Sequence, residues 1–281
     1  MFSMKKSLLF GAIIALFVAC DNGNQPTELQ AVTFSIGTFD QTTAPMGMPA
    51  KAPIYDEAEG GTALTDIYVF DGGAQVLHQT SDMEEFGTFT LNLTHGNHNL
   101  SFIATRSTGI SIEGSTMTME TVRSTFGSLL SLNVGTSTPA QDITLQRITG
   151  KMTITITDAF PSNANEIEFV INPRYNDLDV TTLCATNAQE VTQRVSCASK
   201  VGKENQSFTF TLLAPSLTEE YTADVTINVY DSNSTLIHAV SIADVRLAAN
   251  TQTLLSGKLF RGTDAALSVD HSWKSDIVGT F

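Results

Sequence analysis

The 281-residue chain carries 15 Lys and Arg against 29 Asp and Glu, a formal net charge of −14, with only 16% charged and 42% hydrophobic residues. So acidic a surface repels phosphate backbones and leaves few cations for counterion release, which excludes nucleic acid as a partner. The hydrophobic share exceeds that of a long disordered chain, and threonine, at about one residue in seven, stands where a helical protein would carry Lys and Glu, which favours half-exposed strands.

Residues 1–19 read as an export signal. Lys5 and Lys6 precede an apolar run from Leu8 to Ala19 that is shorter than the roughly 20 residues needed to span a bilayer. The small Ala19 before Cys20 resembles the lipobox of bacterial lipoproteins, in which the cysteine takes a diacylglycerol and becomes the mature N-terminus. With an added N-acyl chain such as palmitate the anchor is firm, since each buried CH₂ contributes about 0.8 kcal/mol. Removing residues 1–19 takes two lysines and no acid, so the remaining chain stands at −16. Residues 20–29, polar and proline-containing, suit a tether.

Strands follow. Thr33 to Ile36 alternates apolar and polar residues, as a half-buried strand requires, within a longer strand over Ala31–Phe39. The stretch QTTAPMGMPAKAPIYDEAEGG then has loop composition, and its Lys51 is the only Lys or Arg between Lys6 and Arg106. Leu64 to Phe70, Asp71-Gly72-Gly73 and Ala74 to His78 read as a hairpin with glycines at positive φ. Phe89 to Leu93 and His98 to Phe102 form strands around a Gly96-Asn97 turn, and Met119 to Leu130 is the one short helix expected. Near residue 146 the pattern restarts: Lys151 to Thr157 places Met152, Ile154 and Ile156 on one face and threonines on the other. Ile167–Ile171, Phe208–Leu212, Val225–Val229, Leu236–Val245 and Leu254–Phe260 complete the set.

Short strands with turn signals and no βαβ alternation predict an all-β protein. The expected organisation is two tandem Greek-key β-sandwiches, residues 30–146 and 147–281, with the boundary at Leu145–Gly150. Cys184 and Cys197, with Cys20 lipidated, form an even pair in an exported chain; a disulfide between them would close a loop worth about 3 kcal/mol, the alternative being two unrelated thiols. No zinc spacing occurs. His95 and His98 in HGNH read as turn residues and not as a metal site, and Asp177 and Asp179 in NDLDV as solvent-facing strand residues. Catalytic motifs such as GxSxG or HExxH are absent, so neither enzyme activity nor a cofactor is expected.

The lipobox, LTDIYVFDGG, LTHGNHNLSFIATRS, RITGKMTITITD and NTQTLLSGKLF, in that order, resemble the Bacteroidales fimbrillin-like superfamily of fimbrial shaft, tip and anchor subunits and related surface lipoproteins. The likeness spans nearly all of the chain after Cys20. It implies transthyretin-like sandwich domains, attachment to the outer membrane through Cys20, exposure on the cell surface, and assembly with other fimbrial subunits by β-strand addition. Asp21 resembles either an inner-membrane retention signal or, in the Bacteroidales, a surface-export signal. In shaft and tip subunits of this family a protease cuts after a basic residue in the loop behind the first strand, which maps onto Lys51 and Ala52 and would release the protein into a fimbrium; anchors keep both the lipid and the strand. Residues 264–281 are the candidate donor segment. A host or bacterial surface ligand is a further expected partner. The alternative is a glycan-capturing surface lipoprotein without a fimbrial role, which a single tryptophan, Trp273, makes harder to build.

Overall fold

A computed structural model of the protein describes residues 28–39, 55–56, 62–260 and 267–270. Every regular element among them is a strand. The first half supplies β1 (Leu29–Phe39), β2 (Tyr55–Asp56), β3 (Thr62–Ala63), β4 (Asp66–Asp71), β5 (Ala74–Thr80), β6 (Thr88–Thr94), β7 (Gly96–Thr105), β8 (Thr108–Glu113), β9 (Thr116–Thr121), β10 (Thr125–Val134) and β11 (Gln141–Arg147). The second supplies β12 (Thr149–Ile156), β13 (Glu166–Arg174), β14 (Asp177–Asp179), β15 (Cys184–Thr186), β16 (Gln189–Ser196), β17 (Gln206–Leu213), β18 (Tyr221–Tyr230), β19 (Leu236–Leu247), β20 (Gln252–Gly257) and β21 (Leu267–Asp270).

The first half is organised by a seven-stranded sheet in the order β5-β4-β7-β10-β11-β1-β6. Strand β11 is its corner. Gln146 and Arg147 pair with β10, whereas Gln141 to Leu145 pair with β1, so the sheet turns over on itself and encloses a core. That core holds Val32, Phe34, Val69, Phe89, Phe102, Phe126 and Leu145. The β4–β5 hairpin forms as its glycines require: Gly72 and Gly73 have φ of 56° and 89°, a conformation open to glycine without a steric penalty.

In the second half, β17-β12-β20-β21 and β16-β13-β18-β19 form two four-stranded sheets whose facing side chains share one core, including Met152, Ile154, Ile156, Phe169, Phe208, Val225 and Ile227. Strand β12 alternates as its sequence demands. Met152, Ile154 and Ile156 are buried, and on the opposite face Thr155 shares a hydrogen bond with Ser207 of β17 (2.9 Å).

A third core joins residues from both halves. Strands β8 and β9 form one hairpin, β14 and β15 another, and β9 pairs with β14 to give the four-stranded sheet β15-β14-β9-β8. It lies over the outer face of β4 and β7, burying Tyr68, Phe70 and Ile103 against Met117, Met119, Leu178 and Leu183. At Gly127 of β10 a Cβ would sit 2.8 Å from a Leu183 methyl, so glycine there permits the close approach of the covering sheet.

The helix expected over Met119–Leu130 is absent. Met119 belongs to β9 and Thr125–Leu130 to β10, because Met117 and Met119 enter the third core while Thr121, Val122 and Thr125 bring β-branched side chains that suit strands. Asp177 is also corrected: it is 9% exposed, not solvent-facing. Its carboxylate accepts hydrogen bonds from Thr118 Oγ1 and Asn187 Nδ2, both at 2.6 Å, which compensates its burial within the covering sheet.

Candidate functional site

The segment with the clearest capacity for function is β1 and the slot it fills. It pairs antiparallel with β6 from Leu29↔Thr94 to Ser35↔Thr88, and parallel with β11 from Phe34↔Gln141 to Phe39↔Leu145. One strand therefore satisfies the backbone of two neighbours, and its loss would leave both with unpaired edges. Alternation sends Val32, Phe34 and Ile36 into the core, where Val32 and Phe34 are completely covered and Ile36 is 7% exposed. The Phe34 ring stacks on Phe89 at 5.8 Å and meets Phe102 at 5.5 Å. On the opposite face Thr33 bonds to Thr90 (3.1 Å). The slot is thus a groove with three apolar positions spaced two residues apart, which reads alternate side chains of an extended segment.

One end of this groove is fixed by a residue that spacing did not single out for the task. His98 Nδ1 lies 2.6 Å from Asp71 Oδ2 and His98 Nε2 lies 2.9 Å from the Thr94 carbonyl, on the residue that pairs with Leu29 of β1. Both ring nitrogens face acceptors, so the imidazolium form is favoured. Burial opposes its charge, but the hydrogen bonds to Asp71 and Thr94 and the Asp71 charge prevail and raise its pKa above the ordinary histidine value. The Gly96-Asn97 turn expected from the sequence is not formed: Gly96, Asn97 and His98 open β7 and pair with Val134, Asn133 and Leu132 of β10, so His98 is a clasp on a strand and only His95 lies, exposed, between β6 and β7. No group of three potential metal ligands occurs among the described residues.

The second half holds a counterpart of opposite sign. Glu168 of β13 points to the outer face of its sheet yet is only 6% exposed. Its carboxylate accepts hydrogen bonds from Asn228 (2.9 Å), Tyr230 (3.0 Å) and Arg194 Nε (2.7 Å). The Asn228 bond first, then those from Arg194 and Tyr230, overcome burial and hold its pKa below the usual glutamate value.

Cys184 and Cys197 are free thiols and do not form the expected disulfide. They belong to different layers: Cys184 lies on β15 in the sheet that joins the halves, and Cys197 is fully covered in the core of the second half. Burial pushes the Cys197 thiol up to about 11, so it stays protonated and unreactive. Cys20, Lys51 and Ala52 lie outside the described residues.

The double-sided burial of β4 had a signal in the sequence. Ile67-Tyr68-Val69-Phe70 is apolar without alternation, the pattern of a strand covered on both faces. The clasp of His98 by Asp71 had none, because the two are 27 residues apart.

Neither a protein-family profile nor a curated protein sequence matches the chain. Among solved structures, an adhesin candidate from Bacteroides ovatus superposes over 82% of this chain and 88% of its own, with a TM-score of 0.52 at 10% identity. The fimbrial anchor protein Mfa2 from Porphyromonas gingivalis covers 86% of this chain and 95% of its own, with a TM-score of 0.48 at 12% identity. A candidate polysaccharide-binding protein from Bacteroides thetaiotaomicron covers 87% and 97%, with a TM-score of 0.48 at 10% identity. At such identities the likeness is one of fold, and it rests on the Bacteroides ovatus structure. The fold shared with the Bacteroides ovatus structure agrees with the all-β architecture read from the sequence.

Proposed function

We propose that this chain is a surface lipoprotein of the fimbrial adhesion class, a subunit of a fimbria-like fibre or its anchor, that assembles by exchange of β1. The observation that carries this reading is the position of β1: the first of the described strands, inserted between β6 and β11, with Val32, Phe34 and Ile36 as its core contacts. Departure of β1 would open the facing edges of β6 and β11, and the groove it vacates accepts a segment of matching alternation from a neighbour. On this reading the two halves are tandem β-sandwiches, residues 30–146 and 147–281. Cys20 holds the protein to the outer membrane by its lipid, and residues 264–281 supply the donor. The chemistry is binding and not catalysis.

Lys51 divides the two roles. Cleavage after it would release residues 20–51, taking away both the lipid and β1. The test is mass spectrometry of the native protein extracted from membranes and from sheared fibres. An anchor gives an acylated Cys20 with Lys51 intact. A shaft or tip subunit gives Ala52 as its first residue. Soluble protein beginning elsewhere, with neither form present, overturns the proposal.

A further inference from the structure

The covering sheet stops partway along β7 and β10, and a recess of about 280 Å³ opens where it ends, near the lower limit for small-molecule sites. The register places the outer-face residues in successive rungs. Ile103 and Gly127 lie beneath the cover; Ser101 and Leu129 come next; Asn99 with Ser131 and then Asn97 with Asn133 follow. Gly72 of the β4–β5 turn and Thr181 of the β14–β15 connection form the walls. The neighbouring Gly73 is so close that a Cβ there would lie 3.2 Å from the Thr181 methyl.

We propose that this recess is a binding site for a neutral saccharide, formed by Asn99, Ser131, Thr181 and Leu129 and extended by Asn97 and Asn133. No residue lining it is charged, in a chain whose net charge is −14. The acids beside the walls are engaged elsewhere: Asp71 holds His98, and Asp179 accepts the Thr181 hydroxyl at 2.7 Å. Ser131 Oγ donates to Asn99 Oδ1 at 2.9 Å. That bond leaves the Asn99 amide hydrogens to donate and the Ser131 lone pairs to accept. The next rung repeats the arrangement, with Asn133 Nδ2 donating to Asn97 Oδ1; it stands roughly 7 Å along the strands, two residues further. Thr181, its proton committed to Asp179, adds an acceptor.

A sugar hydroxyl both donates and accepts, so adjacent hydroxyls on one ring match a carboxamide beside a hydroxyl. Anions and cations find no counter-charge here. Leu129 supplies the apolar contact for the C–H face of the ring: it is 49% exposed among polar neighbours, which solvent exposure alone would disfavour. The hydroxyl ladder between β12 and β17 lacks this capacity, because Thr155 and Ser207 bond to each other and carry no amide donors.

The site does not depend on strand exchange at β1, so the two proposals fail separately. The experiment is calorimetric titration of the chain from Cys20 onward with maltohexaose, mannohexaose, cellohexaose and chitohexaose, with oligogalacturonate as the acidic control. The expected result is saturable binding of at least one neutral probe, unaffected by added salt. The double variant Asn99→Ala, Ser131→Ala and the single variant Leu129→Asp should each weaken it at least about tenfold; all three positions are exposed, so melting temperature should hold. No binding at about 1 mM probe, binding that the variants leave unchanged, or preference for the acidic control each overturns the proposal.

Discussion

The two halves solve the same problem, burying one face of an antiparallel sheet, in different ways. The second half sets two four-stranded sheets around a single core, and its outer faces meet solvent. The first half curls one long sheet around its core and then covers part of the outside with a further sheet that both halves build. The difference is legible in strand chemistry. Strand β12 alternates apolar and threonine residues and needs cover on one side; the centre of β4 is apolar at four consecutive positions, all buried. What this teaches is that the halves are asymmetric in dependence: β4, β7 and β10 of the first half rely on Leu178 and Leu183 from the second.

The strongest way to break this picture is to hollow each core in turn. Phe34→Ala and Phe169→Ala both remove a completely buried ring and should each lower stability by about 3–5 kcal/mol. Followed by urea denaturation, both should move one shared transition, because the third core ties the halves together. Two separate transitions, each shifted by only one variant, would show that the covering sheet does not couple them.

A smaller effect sharpens the same point at the junction itself. Gly127→Ala forces a methyl to within 2.8 Å of Leu183 and should cost about 1–3 kcal/mol as overpacking. In a Leu183→Ala background most of that loss should disappear, since the obstructing methyls are gone. A double-mutant cycle measures this coupling between residues of different halves, and simple additivity would count against their contact.

The smallest expected effect is electrostatic and opposite in sign in the two halves. His98 has a raised folded pKa, so its contribution is complete below the ordinary histidine range and is lost as pH rises through that raised value. Glu168 has a depressed folded pKa, so its contribution is present above the ordinary glutamate range and is lost as pH falls through the depressed value. Stability measured against pH should therefore decline on both sides. His98→Gln should flatten the neutral-to-alkaline limb and Glu168→Gln the acid limb; a variant that flattened the wrong limb would refute the assignment.

Much of the strand layout could be read from local pattern. The alternation in β1, β12 and β18 and the Gly72-Gly73 turn depend on neighbours two or three residues away, so periodicity and backbone freedom reveal them. The reading over Met119–Leu130 failed where local and global demands diverge. Met119, Phe126 and Leu130 can be placed on one side of a helix, and the decision for strands came from Met117 and Met119 packing beneath β4 and from the pairing of β10 with β7 along its whole length.

The candidate groove was legible for the same reason as β1 itself. Val32, Phe34 and Ile36 mark a buried face, but the two partners that flank them, β6 and β11, lie about 55 and 107 residues away in the chain, and only long-range pairing could reveal them. The cysteines illustrate the limit from the other side: twelve intervening residues allowed a bridge, and it was their placement in separate layers that left both thiols free.

The sequence by itself determined that the protein is all-β, acidic and poor in cations, because composition and period-two patterning act residue by residue through solvation and backbone preference. The tertiary structure alone decided that Asp71 would clasp His98, that Asp177 would be buried, and that a hairpin from the second half would cover the sheet of the first. Those outcomes depend on which distant apolar faces meet, and burial is rewarded only once the chain has brought them together.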